Sequence, residues 1–580
     1  MPFLFLFYIY SLTSVNILDM KTNTDVLYKT WLENATDDLD LVSELKSYAK
    51  DKELLNDAFY KDLSFGTAGL RGVIGAGTNR INIYVVRKVS QGLANYVLNH
   101  FKKGKRAIAI SYDSRIKSDV FAKTAAEVFA ANGIKVFIYK ELMPTPCLSF
   151  AVRELKCSAG IMVTASHNPA KYNGYKVYND DGCQITEIAA EEIQNEIKKI
   201  DPFKDVKYMK FEDALASKQI KYISDKLITK FINRVKKESV LGKTKINKDV
   251  KIVYSPLHGT GLKPVTRILK ETGFNNVVVV NEQALPDGNF TTCPFPNPEI
   301  REAMELGIKY AKKENADLLI ATDPDADRVG IAVKDGKEFK LLSGNQTGVL
   351  LLNFICELRK QNRTMPKNAY VVKSLVSTDL ADKIAKHHKV NINTVLTGFK
   401  YIGEFIKTHE GKKSKNYIFG FEESYGYLSG GYVRDKDAVD GAFLIAEMFA
   451  YYKTKGISLC KKLDEIYKKY GYYVDKVESF YFEGQSGFNK MSEIMSEFRK
   501  GLKTIGKYKI TKVIDYSKGV NGLPKADVIK FILENGSSVV IRPSGTEPKL
   551  KMYCSVTSSS LSKSNKIFDE ILENLSARFK

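Results

Sequence analysis

The chain of 580 residues lacks any paired-cysteine spacing. Its seven cysteines (positions 147, 157, 183, 293, 356, 460 and 554) are dispersed with no C-x-x-C. That excludes a disulfide framework and a zinc site of the usual spacing, and implies reduced thiols in the cytosol. Long apolar runs are missing too. The run Phe3–Tyr10 falls well short of the roughly 20 apolar residues a membrane helix requires, and no Lys or Arg precedes it. Residues 1–19 therefore read as an extension of unassigned role, with Met20 as an alternative start and a weak signal sequence as the other reading. No low-complexity linker occurs. The net charge of +22 comes without an RNA-binding, zinc-finger or basic-zipper signature, and the lysines are scattered, as in Lys102-Lys103 and Lys468-Lys469. The expectation is solvated charge whose field favours phosphorylated small molecules, with neither nucleic acid nor membrane as partner.

What is present is repeated α/β alternation. Residues 24–60 carry apolar side chains at three- and four-residue steps (Leu27, Trp31, Leu41, Leu45, Tyr48), a helical pattern. A glycine-rich loop, Phe65–Gly72, follows. Alternating helices and strands then run over 85–163, restart over 251–320 and restart again over 345–453. The last hundred residues read as α+β, after a Lys/Tyr-rich connector at 462–473. Alternation of this kind implies layered helices around mainly parallel or mixed sheets. The expected units are 1–19, 20–219, 220–338, 339–460 and 461–580.

Four stretches carry chemistry. Thr164-Ala-Ser166-His167-Asn168-Pro169 follows the buried strand pattern 158–163, which places a hydroxyl at its exposed end. A self-capped turn fits those six residues equally well. The glycines of a nucleophile elbow are absent, since Thr164 and Asn168 hold those positions. Asp323-Pro-Asp325-Ala-Asp327-Arg328 lies beyond strand 317–320, at the strand end where α/β ligands bind. Three carboxylates in five residues repel unless a cation compensates, and hard oxygen ligands suit Mg²⁺. An EF-hand is excluded, because its glycine and closing glutamate would fall on Arg328 and Lys334. An extended loop would point alternate aspartates the same way. The vacancy left beside them matches a phosphorylated Ser166. Lys176, ten residues past the serine, suits acid/base work if its pKa is lowered. Gly420–Gly426 carries two carboxylates and a hydroxyl (Glu422, Glu423, Ser424) that suit sugar hydroxyls and equally suit solvent, with Arg434 and Lys436 downstream for a second phosphate. Arg542-Pro-Ser544-Gly545-Thr546 after strand 537–541 reads as a phosphate cradle.

In this order, the four stretches resemble the α-D-phosphohexomutase superfamily, the phosphoglucomutase/phosphomannomutase proteins, from about Leu63 to Tyr553. The resemblance implies a heart-shaped, four-domain α/β architecture: three α/β domains with mixed sheets and a C-terminal α+β domain, each giving one loop to a central cleft. It implies a reversible 1-to-6 phosphoryl shift on a hexose, interconverting glucose 1-phosphate and glucose 6-phosphate, through phosphoserine at Ser166 and a sugar bisphosphate. Ser166, Asp323, Asp325 and Asp327 then hold Mg²⁺, while Arg71, His167, Lys176 and Arg328 serve the chemistry. Glu422, Ser424, Lys400, Arg434, Lys436, Arg542, Ser544, Gly545 and Thr546 bind substrate. Glucose 1,6-bisphosphate, or the matching sugar bisphosphate, is the implied activator, and the cytoplasm the implied location. The forms Phe65–Arg71, Asp-Pro-Asp-Ala-Asp-Arg and Gly-Phe-Glu-Glu-Ser look most like the second-phosphoglucomutase/phosphopentomutase branch. Glucose, ribose or deoxyribose, and mannose 1-phosphates all stay open, as do synthesis of glucose 1,6-bisphosphate, a non-catalytic relative, a hydrolase and the oligomeric state.

Overall fold

A computed structural model describes residues 24–579 except 67–68, 412–415, 483, 521 and 545–548; residues 1–19 and Met20 lie outside it. The first sheet takes β1 (Gly69–Val73), β2 (Ala107–Tyr112), β3 (Lys135–Ile138), β4 (Ala159–Val163), β5 (Tyr172–Asn179) and β6 (Ile220–Tyr222), in the order β1-β5-β4-β2-β3-β6. From β4 to β6 it is parallel, and β5 and β1 are antiparallel to their neighbours. Strands β2 and β4 are almost wholly buried and read as continuous apolar runs, which is what helices on both faces require.

The second sheet holds β7 (Ile252–Ser255), β8 (Val277–Val279), β9 (Leu318–Thr322), β10 (Val329–Asp335) and β11 (Glu338–Leu342), ordered β11-β10-β9-β7-β8. The third holds β12 (Ala369–Ser374), β13 (Asn391–Val395), β14 (Asn416–Glu422) and β15 (Gly426–Leu428), ordered β13-β12-β14-β15. Both mix parallel and antiparallel pairs. The fourth is antiparallel throughout: β16 (Tyr472–Tyr481), β17 (Thr504–Ile505), β18 (Tyr508–Asp515), β19 (Ile529–Leu533), β20 (Ser538–Pro543) and β21 (Lys549–Ser558). Three mixed α/β units plus a C-terminal antiparallel unit is the expected architecture.

Four expectations need correcting. The glycine-rich stretch is partly strand: Arg71 sits on β1, paired with β5 (Gly69↔Lys176). Gly69 has φ +132°, and a Cβ there would lie 2.0 Å from the Tyr175 carbonyl, so no other residue allows this approach. The connector at 462–473 is helix Leu459–Tyr470 running into β16; its Ser458 cap and its apolar Leu459, Leu463, Ile466 and Tyr467 outweigh the lysines. That helix packs on helices Gly344–Gln361 and Leu380–His388, so the third unit reaches past 460. Strand β6 completes the first sheet, so the first unit extends past 219. Helix Ala438–Thr454, capped by Asp437, is buried over nearly its whole length. It lies in one apolar core that runs without a break through the first three units. The fourth unit has its own core and meets the third through a small cluster of Leu375, Val376, Leu396, Tyr516, Val528 and Val540.

Candidate active site

Ser166 is reached from the end of β4. Its backbone has φ +53°, and its N–H donates to Thr164 Oγ1 at 2.8 Å. Thr164 Oγ1 in turn donates to Asp113 Oδ2 at 2.5 Å. Arg115 completes this support. It is buried, ion-paired with Asp113 at 3.3 Å, and donates to the carbonyls of Ser166, Asn168, Pro169 and Tyr172. Its guanidinium also lies 4.9 Å from the Phe290 ring of the second unit. A left-handed serine is strained, and a fork clamped onto four carbonyls is what fixes it. The self-capped turn and the presented hydroxyl are therefore both present: the caps hold the serine where it can act.

The aspartate loop is a tight turn between β9 and β10 rather than an extended stretch. Ala326 N–H donates to Asp323 O at 2.9 Å, Asp323 N–H to Arg328 O at 3.2 Å, and Ala326 has φ +47°. The turn, and not strand alternation, makes the carboxylates converge. One oxygen from each of Asp323, Asp325 and Asp327 lies within 4.8 Å of the others, and all three residues are buried. Asp323 Oδ1 accepts the N–H groups of Asp327 (3.1 Å) and Arg328 (2.9 Å), while Oδ2 accepts Ser166 Oγ–H at 2.9 Å. Asp325 Oδ2 takes Thr145 Oγ1 and Lys176 Nζ at 2.8 and 2.7 Å, and Asp327 Oδ2 takes Lys436 Nζ at 2.9 Å. Asp325 Oδ1 and Asp327 Oδ1 are buried without a hydrogen-bond partner. Two orphaned carboxylate oxygens beside a third and a serine hydroxyl form a hard-oxygen set, which fits Mg²⁺.

Burial and the neighbouring carboxylates push Asp323 well up, whereas Lys176 holds Asp325 down against burial. Lys176 departs from expectation. Burial pulls its ammonium down, but Asp325 and Asp327 outweigh that and raise it, so it is held charged rather than poised low. Burial, Arg328 and Arg71 depress His167 to about 2. It is neutral, with Nδ1 3.2 Å from Ser166 Oγ. Arg71 donates to Asn168 Oδ1 at 2.9 Å and is otherwise exposed. Arg328 is tied to Glu299 at 2.5 Å.

The third unit brings Glu422 to the end of β14, near Lys436 and Arg328; burial, against the pull of Lys436, raises its pKa to about 7. Ser424 lies in the turn before β15, and Glu423 accepts Ser374 Oγ–H at 2.8 Å. Lys400 instead reaches the first unit, on Glu187 at 2.8 Å. Arg434 is fully buried with its guanidinium on Asp181 (2.8 Å), Glu410 and the Gly431 carbonyl, which accounts for it without a phosphate. Arg542, near the end of β20, neighbours Tyr553, which also feels Glu423 and Glu422. Ser544 closes its strand by an N–H bond to Lys549 O at 2.8 Å; Gly545 and Thr546 lie outside the described residues. Sequence reasoning missed Asp113, Arg115, Thr145 and Glu299. The first two stand just past the carboxyl end of β2, and that position was their only signal.

A phosphorylatable hydroxyl facing an acidic metal cradle across α/β units, with arginines around it, defines a phosphoryl-transfer protein. Four family descriptions match in order: phosphoglucomutase/phosphomannomutase alpha/beta/alpha domain I over 62–204, domain II over 229–336, domain III over 343–470, and the C-terminal domain over 493–573. A phosphoglucomutase of Staphylococcus saprophyticus is 38% identical, over 95% of this chain and 98% of its own. One of Staphylococcus aureus (strain MRSA252) is 36% identical, over 94% and 97%. The solved open form of a Paramecium phosphoglucomutase, pp63/parafusin, superposes with a TM-score of 0.70 at 19% identity, over 90% of this chain and 96% of that one. The chain belongs to the phosphoglucomutase/phosphomannomutase family of the α-D-phosphohexomutase superfamily. Among the described residues no helix is long and apolar enough to cross a membrane, and the seven cysteines are free.

Proposed function

We propose that this chain interconverts glucose 1-phosphate and glucose 6-phosphate through phosphoserine at Ser166. The observation that carries this reading is Ser166 Oγ standing 2.9 Å from Asp323 Oδ2 inside the aspartate cradle. The P–O bond to Ser166 Oγ breaks as one to a sugar hydroxyl oxygen forms, and that hydroxyl's proton ends on the serine oxygen. A sugar bisphosphate results, and it returns its other phosphoryl group after turning over. Mg²⁺ held by Asp323, Asp325 and Asp327 supplies Lewis-acid and electrostatic stabilisation. Lys176 holds a proton at Nζ at the mouth of the cradle, and neutral His167 offers Nδ1 beside the serine oxygen. Arg71 and Arg328 compensate the phosphoryl charge. Glu422 and Ser424 orient the sugar, and Arg542, Ser544, Gly545 and Thr546 hold the phosphate that does not react. Lys436 ties the third unit to the cradle.

The metal-loop wording Asp-Pro-Asp-Ala-Asp-Arg supports placement in the second-phosphoglucomutase/phosphopentomutase branch, with glucose 1,6-bisphosphate as activator. The free cysteines support a cytoplasmic setting. Rates on glucose, ribose and mannose 1-phosphates, each with Mg²⁺ and its bisphosphate, test the reading. Glucose is expected to lead with little phosphate released. Faster ribose turnover moves the assignment to a phosphopentomutase, and stoichiometric phosphate release moves it to a hydrolase.

A further inference from the structure

The parallel sheet of the first unit has two ends. Its carboxyl end carries the serine loop. Its amino end opens into a separate cleft of about 750 Å³, formed where the chain enters β2, β3 and β4. Lys103 and Lys105 overhang it from the turn before β2, Lys135 from the first residue of β3, and Lys156 from the turn before β4; Arg106 lies deeper. Arg106 donates to the carbonyls of Phe101 and Leu98, but none of these five cations has a carboxylate at ion-pair distance among the described residues. The one acid on the rim, Asp180, already faces Lys407 at 3.6 Å, and Arg153 is answered by Asp181 and Glu410. The floor is apolar, with Phe137 and Leu155 half-buried.

Five like charges around one concavity repel one another, and low-dielectric walls focus their field into it. Lysines are flexible point charges that suit phosphate without demanding one geometry. The aromatic floor adds a face for an apolar portion. We propose that this cleft is a second anion site, built for a compact polyphosphate of the triphosphate class that bears an aromatic group, as a nucleoside triphosphate does. The site is distinct from the catalytic cleft. The five residues of β4 separate them by about 17 Å, at roughly 3.3 Å per residue. It assigns a role to a small part of the excess positive charge.

The test is calorimetric titration of the full chain with ATP and with tripolyphosphate, in the presence of saturating glucose 6-phosphate to fill the catalytic cleft. One equivalent of each is expected to bind, ATP the more tightly. The double variant Lys105→Glu/Lys135→Glu should weaken both by about tenfold or more, and raising ionic strength should weaken both further. The variant Lys309→Glu/Lys383→Glu makes the same charge change on exposed residues elsewhere and should alter binding by less than about twofold, since distant exposed charges are screened. Equal weakening by the two variants, displacement by glucose 6-phosphate, or binding of long RNA without binding of tripolyphosphate would each overturn the proposal. Far-ultraviolet circular dichroism of the cleft variant, measured alongside, confirms that it is folded and keeps this test independent of the catalytic reading.

Discussion

At the scale of single residues, the site is built on a contradiction that the fold tolerates: three buried carboxylates share one turn. Lys176 and Lys436 offset part of that charge, and the orphaned oxygens of Asp325 and Asp327 fit a divalent ion that would offset the rest. On the proposed route, replacing Ser166 with Ala removes the phosphoryl carrier while costing only the hydroxyl's contacts to Asp323 and His167. Turnover is expected to fall by at least about a thousandfold with the far-ultraviolet circular dichroism unchanged; retained activity would remove the phosphoserine route. Arg115 acts one step back, through the loop it clamps. Arg115→Lys keeps a charge for Asp113 but loses the fork that reaches the four carbonyls, so kcat should drop by about ten- to a hundredfold with KM nearly constant. A change in KM alone would show that the clamp does not set the serine's position.

At the scale of elements, helix Ala438–Thr454 shows what burial costs. Glu447 on it accepts Ser239 Oγ–H at 2.7 Å, but its second oxygen is buried without a partner, and burial raises its pKa from an ordinary 4.5 to about 7. Its folded value exceeds its unfolded one. Below about 4.5 both states are protonated; between there and about 7 the unfolded chain ionises first, so stability falls as pH rises, then levels off. The contribution is on the order of 3 kcal/mol, and Glu447→Gln should flatten that part of a denaturant midpoint-against-pH curve. An unchanged slope would mean that the carboxyl is solvated. Elements whose patterns were unmixed were legible in the sequence: β4 and β9 both stand within a residue or two of the expected 158–163 and 317–320. Helix Leu459–Tyr470 was not, because its lysines mask an apolar stripe. Nor was β1, since a strand begun by glycine reads as a loop until its partner β5 is known. The aspartates were legible as a set, but their convergence was attributed to the wrong backbone shape. Long-range partners such as Thr145 on Asp325 and Glu299 on Arg328 leave no local pattern to find.

At the scale of the molecule, the first three units share one apolar core, whereas the fourth meets the third through a small apolar cluster with a charged cluster beside it. Asp379 joins them: it faces Lys373 at 3.1 Å within the third unit and Lys530 (2.9 Å) and Ser538 (2.5 Å) of the fourth. Lys373 and Lys530, against the penalty of burial, hold its carboxyl well below the usual range. Asp379→Asn should weaken this seat, raising KM by about three- to tenfold with a smaller effect on kcat and quickening proteolytic release of the C-terminal unit. Equal protease resistance would show that the apolar cluster alone suffices. On the proposed assignment of sites, the three fused units would act as an anvil for the phosphoryl chemistry, and a separately seated jaw would fix how far away the spectator phosphate lies. A pentose and a hexose differ in that reach by one carbon, so on the same assignment the tilt of the jaw would retune which sugar fits while the anvil stays untouched.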